Sequence, residues 1–149
     1  MACDAISYAT VNQLMILGLA VNFYSIRPNP YPPLGVNETN FQAWLDNWLI
    51  IRLKPYQNIT FREIDITHLE SLSCLKVNTF IGRGLNDMFQ KDNLIYDFEK
   101  MRDVPLKDSM KKIWEQGLQK IEFTTVGQII GVSVSDLLTN TTTTFDGWE

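Results

Sequence analysis

The sequence predicts a mainly α, compact helical domain around a central Trp-rich helix, with a small β wing as a further option. Three observations predict it. Phe41, Trp44, Leu45, Trp48 and Leu49 recur at helical spacing between Thr39 and Lys54. Phe80, Ile81, Leu85, Met88 and Phe89 share one helical face between Asn78 and Lys91. Leu106, Met110, Ile113, Trp114 and Leu118 do the same behind Pro105.

Taken in order, residues 5–26 carry no charge, and the run from Leu14 to Val21 is apolar all round. It predicts buried structure, with helix favoured over 7–26 and strand left open by Val21, Phe23, Tyr24 and Ile26. Ser7, Thr10, Asn12, Gln13 and Asn22 interrupt the run and no basic flank precedes it, so neither a membrane span nor a signal segment is expected. Four of the six prolines fall between Pro28 and Pro33, making residues 27–36 an extended connector.

In the tryptophan segment, Thr39 and Gln42 have capping-box spacing, and Lys54 before Pro55 marks the end. Ile50, Ile51 and Leu53 widen the apolar stripe past half the circumference. Thr60 with Glu63, and Thr67 with Glu70, have the same capping spacing and predict two short helices. A helix is expected over 78–91 despite Gly82 and Gly84, and a short strand at Leu94-Ile95-Tyr96. Pro105 suits the first turn of the next helix. The stretch IEFTTVGQIIGVSVSDLL reads either as two short helices around Gly131 or as a strand followed by a helix. Residues 139–149 lack helical pattern and read as a loose tail.

With 149 residues, 45% hydrophobic and 20% charged, the chain is expected to form one domain with its own core. A net charge of −4 argues against a general nucleic-acid coat or a membrane-surface binder, both of which require basic excess. Residues 1–58 hold three basic and three acidic groups, so the deficit lies in the remainder. Cys3 and Cys74 make neither a disulfide framework nor a zinc site and are expected to be free thiols in the cytoplasm. The Asn-x-Thr sequons at Asn37, Asn58 and Asn140 have no secretory signal to support their use.

Little catalytic chemistry is legible. A lone histidine, His68, removes every site that needs two imidazoles, and its place after Thr67 predicts exposure. No P-loop, Rossmann, G-x-S-x-G or HExxH pattern is present. Glu63, Asp65 and Glu70 lack calcium-loop spacing and read as a solvated face. No cofactor, metal or catalytic residue is expected, and the chain reads as a non-enzyme.

Two segments resemble DNA-binding motifs. TFREI, LSCLKVN, TFIGRGLNDMFQ and NLIY, within Ile59–Tyr96, are similar in plan to a winged helix-turn-helix, with a turn about one residue short. That resemblance implies that Thr79, Arg83, Asn86 and Gln90 enter a major groove, with Lys76 and Lys91 near phosphates. TTVGQIIGVSVSDLL resembles the spacing of a phage-repressor helix-turn-helix at Gly127, Gly131, Val132 and Leu137. Its second half carries no basic residue and one acidic residue, Asp136, so a structural role is expected there.

Two functions follow as expectations. One is a small regulatory protein with a helix-turn-helix-like core that uses the Thr79–Gln90 face on DNA. The other is a helical protein-interaction module, such as an immunity protein, toxin inhibitor or phage-defence component, with Tyr31, Tyr56 and Trp148 as candidate anchors. Either is compatible with a homodimer.

Overall fold

The computed structural model describes residues 8–28, 30–78 and 82–143. Among them the elements run α1 (Val11–Tyr24), α2 (Phe41–Leu53), α3 (Glu63–Ser71), β1 (Leu75–Val77), α4 (Val104–Gln116), β2 (Ile121–Phe123) and α5 (Thr125–Thr139). Single 3-10 turns lie at Lys54–Tyr56, Asn86–Met88, Phe98–Lys100 and Leu118–Lys120. The fold is mainly helical with one two-stranded antiparallel sheet, as the sequence predicts.

The uncharged N-terminal run forms α1. Thr10 and Gln13 build a capping box, each side chain bonded at 3.1 Å to the other's backbone N–H. Every residue from Ile16 to Phe23 is buried. A helix satisfies its own backbone there, whereas a strand would need partners on both sides. This makes α1, rather than the tryptophan helix, the most enclosed element. In α2, Phe41, Leu45, Leu49 and Leu53 are fully buried, while Trp44 and Trp48 are half-buried at its flanks. Asn40 rather than Thr39 occupies the N-cap position, and Thr39 N–H is held by Asn37 Oδ1 at 2.9 Å in the preceding turn.

α5 lies against α1. Ser25 bonds to Gln128 and Gly18 faces Val134, an order that runs the two helices antiparallel. Gly131 allows the close approach: a β-carbon there would lie 2.7 Å from the Leu17 carbonyl oxygen. The helix is continuous across Gly131, so the chain takes the strand-then-helix form and not the two short helices of a repressor-type turn.

The small sheet pairs Leu75 with Phe123, Lys76 with Glu122 and Val77 with Ile121. Leu75 and Ile121 point inward, and Lys76 and Glu122 point to solvent. The strand expected at Leu94–Tyr96 is not formed; only an isolated bridge joins Lys91 and Leu94. One helix, α3, replaces the two short helices expected after Thr60 and Thr67. Thr60 N–H is held by Asn12 Oδ1, and Thr67 lies mid-helix with its hydroxyl donating to Glu63 O. α4 starts as predicted, with Pro105 in its first turn and Asp103 Oδ1 accepting from Leu106 N–H at 3.2 Å.

Candidate functional site

The 78–91 segment departs most from expectation. Its described residues, Asn78 and 82–91, form no α-helix, only the Asn86–Met88 turn. Arg83 donates to Ile121 O at 3.0 Å, and its guanidinium lies 5.1 Å from the centre of the Tyr24 ring. Asn86 Oδ1 accepts from Phe98 N–H at 2.9 Å. Gln90 Nε2 donates to Tyr96 O at 2.8 Å while Gln90 Oε1 accepts from Tyr96 N–H at 2.9 Å. These three side chains brace a loop against β2 and the 96–98 segment and do not form an outward row. Lys76 and Lys91 are exposed, but on a strand and a bridged turn. Thr79 lies outside the described residues.

The physical reason is legible in the same segment. Gly82 and Gly84 weaken any helix, and the chain turns back to place Phe89 in the core. There its ring stacks on Phe98 and receives the Arg27 guanidinium 4.7 Å from its centre.

The expected anchors for a protein partner also move. Tyr56 is fully buried. Tyr31 packs on Phe41 and Trp44 and donates to Phe89 O, and burial pushes its phenol up to about 12. The proline connector is thereby tied to the core, and it contains a cis Tyr31-Pro32 bond. Trp148 lies outside the described residues.

His68 is half-buried, with Nδ1 at 2.8 Å from Gln13 Oε1. Gln13 Nε2 donates to Asp65 Oδ1 at 3.2 Å, and Arg62 Nε reaches Asp65 Oδ2 at 3.2 Å. Asp65 is therefore a buried carboxylate and not part of a solvated face. Burial would raise its pKa, but the bonds from Arg62 and Gln13 outweigh that and hold it below the ordinary value. Cys74 is buried, and burial raises its thiol pKa. Its sulfur lies 3.9 Å from Leu72 O and His68 Nδ1 faces Gln13, so among the described residues no Cys-His pair is made. Among the described residues no cluster of His, Cys, Asp and Glu could hold a metal. None of their helices is long and apolar enough to cross a membrane.

What the fold does assemble is a trough between α3 and the far end of α4. One half, about 480 Å³, has Phe61, Ile66 and Val77 along its floor, with Glu63, Glu70 and Lys120 around it. The other half, about 280 Å³, is lined largely by polar side chains, among them Gln57, Asn58, Ser109 and Lys112. Phe61 and Gln116 line both halves, so the two adjoin across these side chains. Gly117 shapes the join: its φ of +152° turns α4 into the Leu118–Lys120 turn, and a β-carbon there would meet the Phe61 ring at 3.2 Å. Glu63, Ile66, Thr67 and Glu70 sit at i, i+3, i+4 and i+7 on α3, one helical face. That spacing was present in the sequence; the opposing wall comes from residues about fifty positions later and was not.

No family model, no curated protein and no solved structure matches this chain. The class of protein is therefore defined by its own architecture, a mainly helical domain with a small antiparallel sheet and two adjoining surface pockets beside α3.

Proposed function

We propose that this chain is a small, non-catalytic binding protein whose partner is another polypeptide. The trough beside α3 carries the reading. Each half is near or within the range of about 300–1,000 Å³ common for binding pockets, and together they make an elongated site in place of an enclosed cavity. An apolar floor with charged and polar banks is the anatomy of a protein-recognition surface. The DNA-reading alternative loses its geometric support, since Arg83, Asn86 and Gln90 are engaged within the fold. The overall charge of −4 adds to that loss, because phosphate contacts supply most of the affinity for duplex DNA.

The test sets two probes against the same preparation. Selection from a display library of random 16-residue peptides is expected to enrich a recurring pattern, and a random duplex pool at low salt is expected not to be retained. Duplex retention with a steep salt dependence, together with no peptide enrichment, would reverse the reading.

A further inference from the structure

We infer that the trough takes a basic polypeptide segment that carries a bulky apolar anchor. The inference rests on the polypeptide-binding reading and specifies its site and partner chemistry.

Charge comes first. Glu63 and Glu70 are exposed on one face of α3 and enter no ion pair among the described residues. Seven residues apart, they lie roughly 10 Å apart along the helix axis at about 1.5 Å per residue. Both acidic groups stand on the α3 bank. Lys120 stands on the other side and Lys112 lines the polar half, both without an ion pair among the described residues, so the free carboxylates are confined to the α3 bank of the apolar half. A lysine or arginine in the partner would find a free carboxylate at either end of the apolar half.

Between the two carboxylates Thr67 spends its hydroxyl on Glu63 O, and Phe61, Ile66 and Val77 present apolar surface, so the group placed there is aliphatic or aromatic. Burying such a side chain is the step that gives affinity, while the rim charges select the partner and speed association.

The second half explains why the occupant is a chain and not a small amine. Gln57, Asn58, Ser109 and Gln116 make no side-chain hydrogen bond within the described residues, and all line the polar half. Amides and hydroxyls with unused donors and acceptors suit the N–H and C=O groups of a peptide backbone. A segment running from the acidic half into the amide-rich half satisfies both at once.

The experiment uses the full chain. Peptides selected from the random 16-residue library are synthesised with a fluorescein label and titrated by fluorescence anisotropy. Winning sequences are expected to pair Lys or Arg with Leu, Phe or Trp. Glu63→Lys/Glu70→Lys is expected to weaken binding at least tenfold. Thr67→Trp, which fills the trough without changing charge, is expected to abolish it. Glu38→Lys/Glu115→Lys, an equal charge change elsewhere, is expected to leave it within twofold; circular dichroism checks that each variant folds.

If peptides bind but the trough variants leave affinity unchanged, the site assignment falls and the binding-module reading stands. If the library yields no recurring sequence, both fall. Acidic or charge-free winners overturn the partner chemistry. A concentration-dependent dimer that Thr67→Trp dissolves, seen by sedimentation velocity, would show that the occupant is a second copy of this chain and would also overturn it.

Discussion

Gly127 of α5 lies directly on the main chain of Cys74: a β-carbon at Gly127 would come 1.7 Å from the Cys74 carbonyl oxygen. The contact joins the first turn of α5 to the residue before β1, where Thr124 N–H also donates to Cys74 O at 3.3 Å. Because the obstacle is backbone, no side-chain rotation relieves it. Gly127→Ala is expected to cost about 3 kcal/mol, the upper end of ordinary overpacking, and Gly131→Ala somewhat less. Urea unfolding followed by tryptophan fluorescence measures both. A loss below 1 kcal/mol for Gly127→Ala would contradict this packing.

Arg52 is a buried cation held by neutral partners. Its Nε donates to Asn22 Oδ1 at 2.7 Å and its Nη2 to Ser135 Oγ at 2.9 Å, with the Trp48 ring centre 5.2 Å away. Asn22 Nδ2 in turn donates to Ser135 Oγ at 3.0 Å, so α1, α2 and α5 meet in one network. Asn22→Ala leaves the guanidinium short of an acceptor and is expected to cost about 3 kcal/mol. Arg52→Met, which removes the charge and keeps most of the volume, is expected to cost less. The double variant should therefore be less destabilised than the sum of the two, with a coupling of about 1 kcal/mol or more. Additive losses would show that the three helices are not joined through this group.

Tyr56 Oη is buried and makes no hydrogen bond, although Ser135 and Asn22 lie near it. Tyr56→Phe is thus expected to be neutral or to stabilise by up to about 1 kcal/mol at pH 7. Burial is the main cause that pushes this phenol, like that of Tyr31, from 10.0 to about 12. A raised folded-state pKa means that the unfolded chain releases its protons first. The contribution of these two phenols is intact below pH 10 and falls as the pH climbs from 10 toward 12. Denaturant midpoints across that window should fall less steeply for Tyr56→Phe than for the parent. Parallel curves would argue against a buried phenol.

Arg27 closes the C-terminal end of α1. Its Nη1 donates to Ile26 O at 2.7 Å and to Asn22 O at 3.1 Å, and its Nη2 to Phe23 O and Met88 O. Burial lowers its pKa to about 10. Arg27→Ala is expected to cost about 3 kcal/mol, and Arg27→Lys to recover little, because an ammonium cannot span four carbonyls in a planar fork. Hydrogen exchange should accelerate at Leu94 N–H, in the loop this side chain tethers, before it does in α1. Uniform acceleration would mean that the loop is not separately held.

Asp65 sets the acid limb. A folded-state pKa held below 3.8 adds stability above that value, which is lost as the pH falls through the lower folded one. Asp65→Asn should flatten the decline in thermal midpoint below pH 4. An unchanged slope would place the acid sensitivity elsewhere.

The helices of highest apolar content were legible from local pattern alone. The tryptophan segment forms a helix over Phe41–Leu53, and Pro105 with Asp103 starts α4 where the turn chemistry places it. Thr10 with Gln13 was an equally good local signal at the start of α1. The 78–91 segment misled because its apolar residues fit a helical face as well as a folded-back loop. Over residues 82–91 the choice went to the loop, where Phe89 stacks on Phe98 and takes the Arg27 cation. Likewise, Arg83, Asn86 and Gln90 have side chains suited to base edges, and the same donors and acceptors serve a loop equally well.

Local periodicity and capping determined the helices at Phe41–Leu53 and Val104–Gln116, because a helix satisfies its backbone within itself and needs only one covered face. The centre of the core, the pairing of Leu75–Val77 with Ile121–Phe123, the burial of Tyr56 and the trough beside α3 were decided by tertiary structure. Each of these needs a partner supplied from dozens of residues away, and no short-range spacing records which distant segment that partner is.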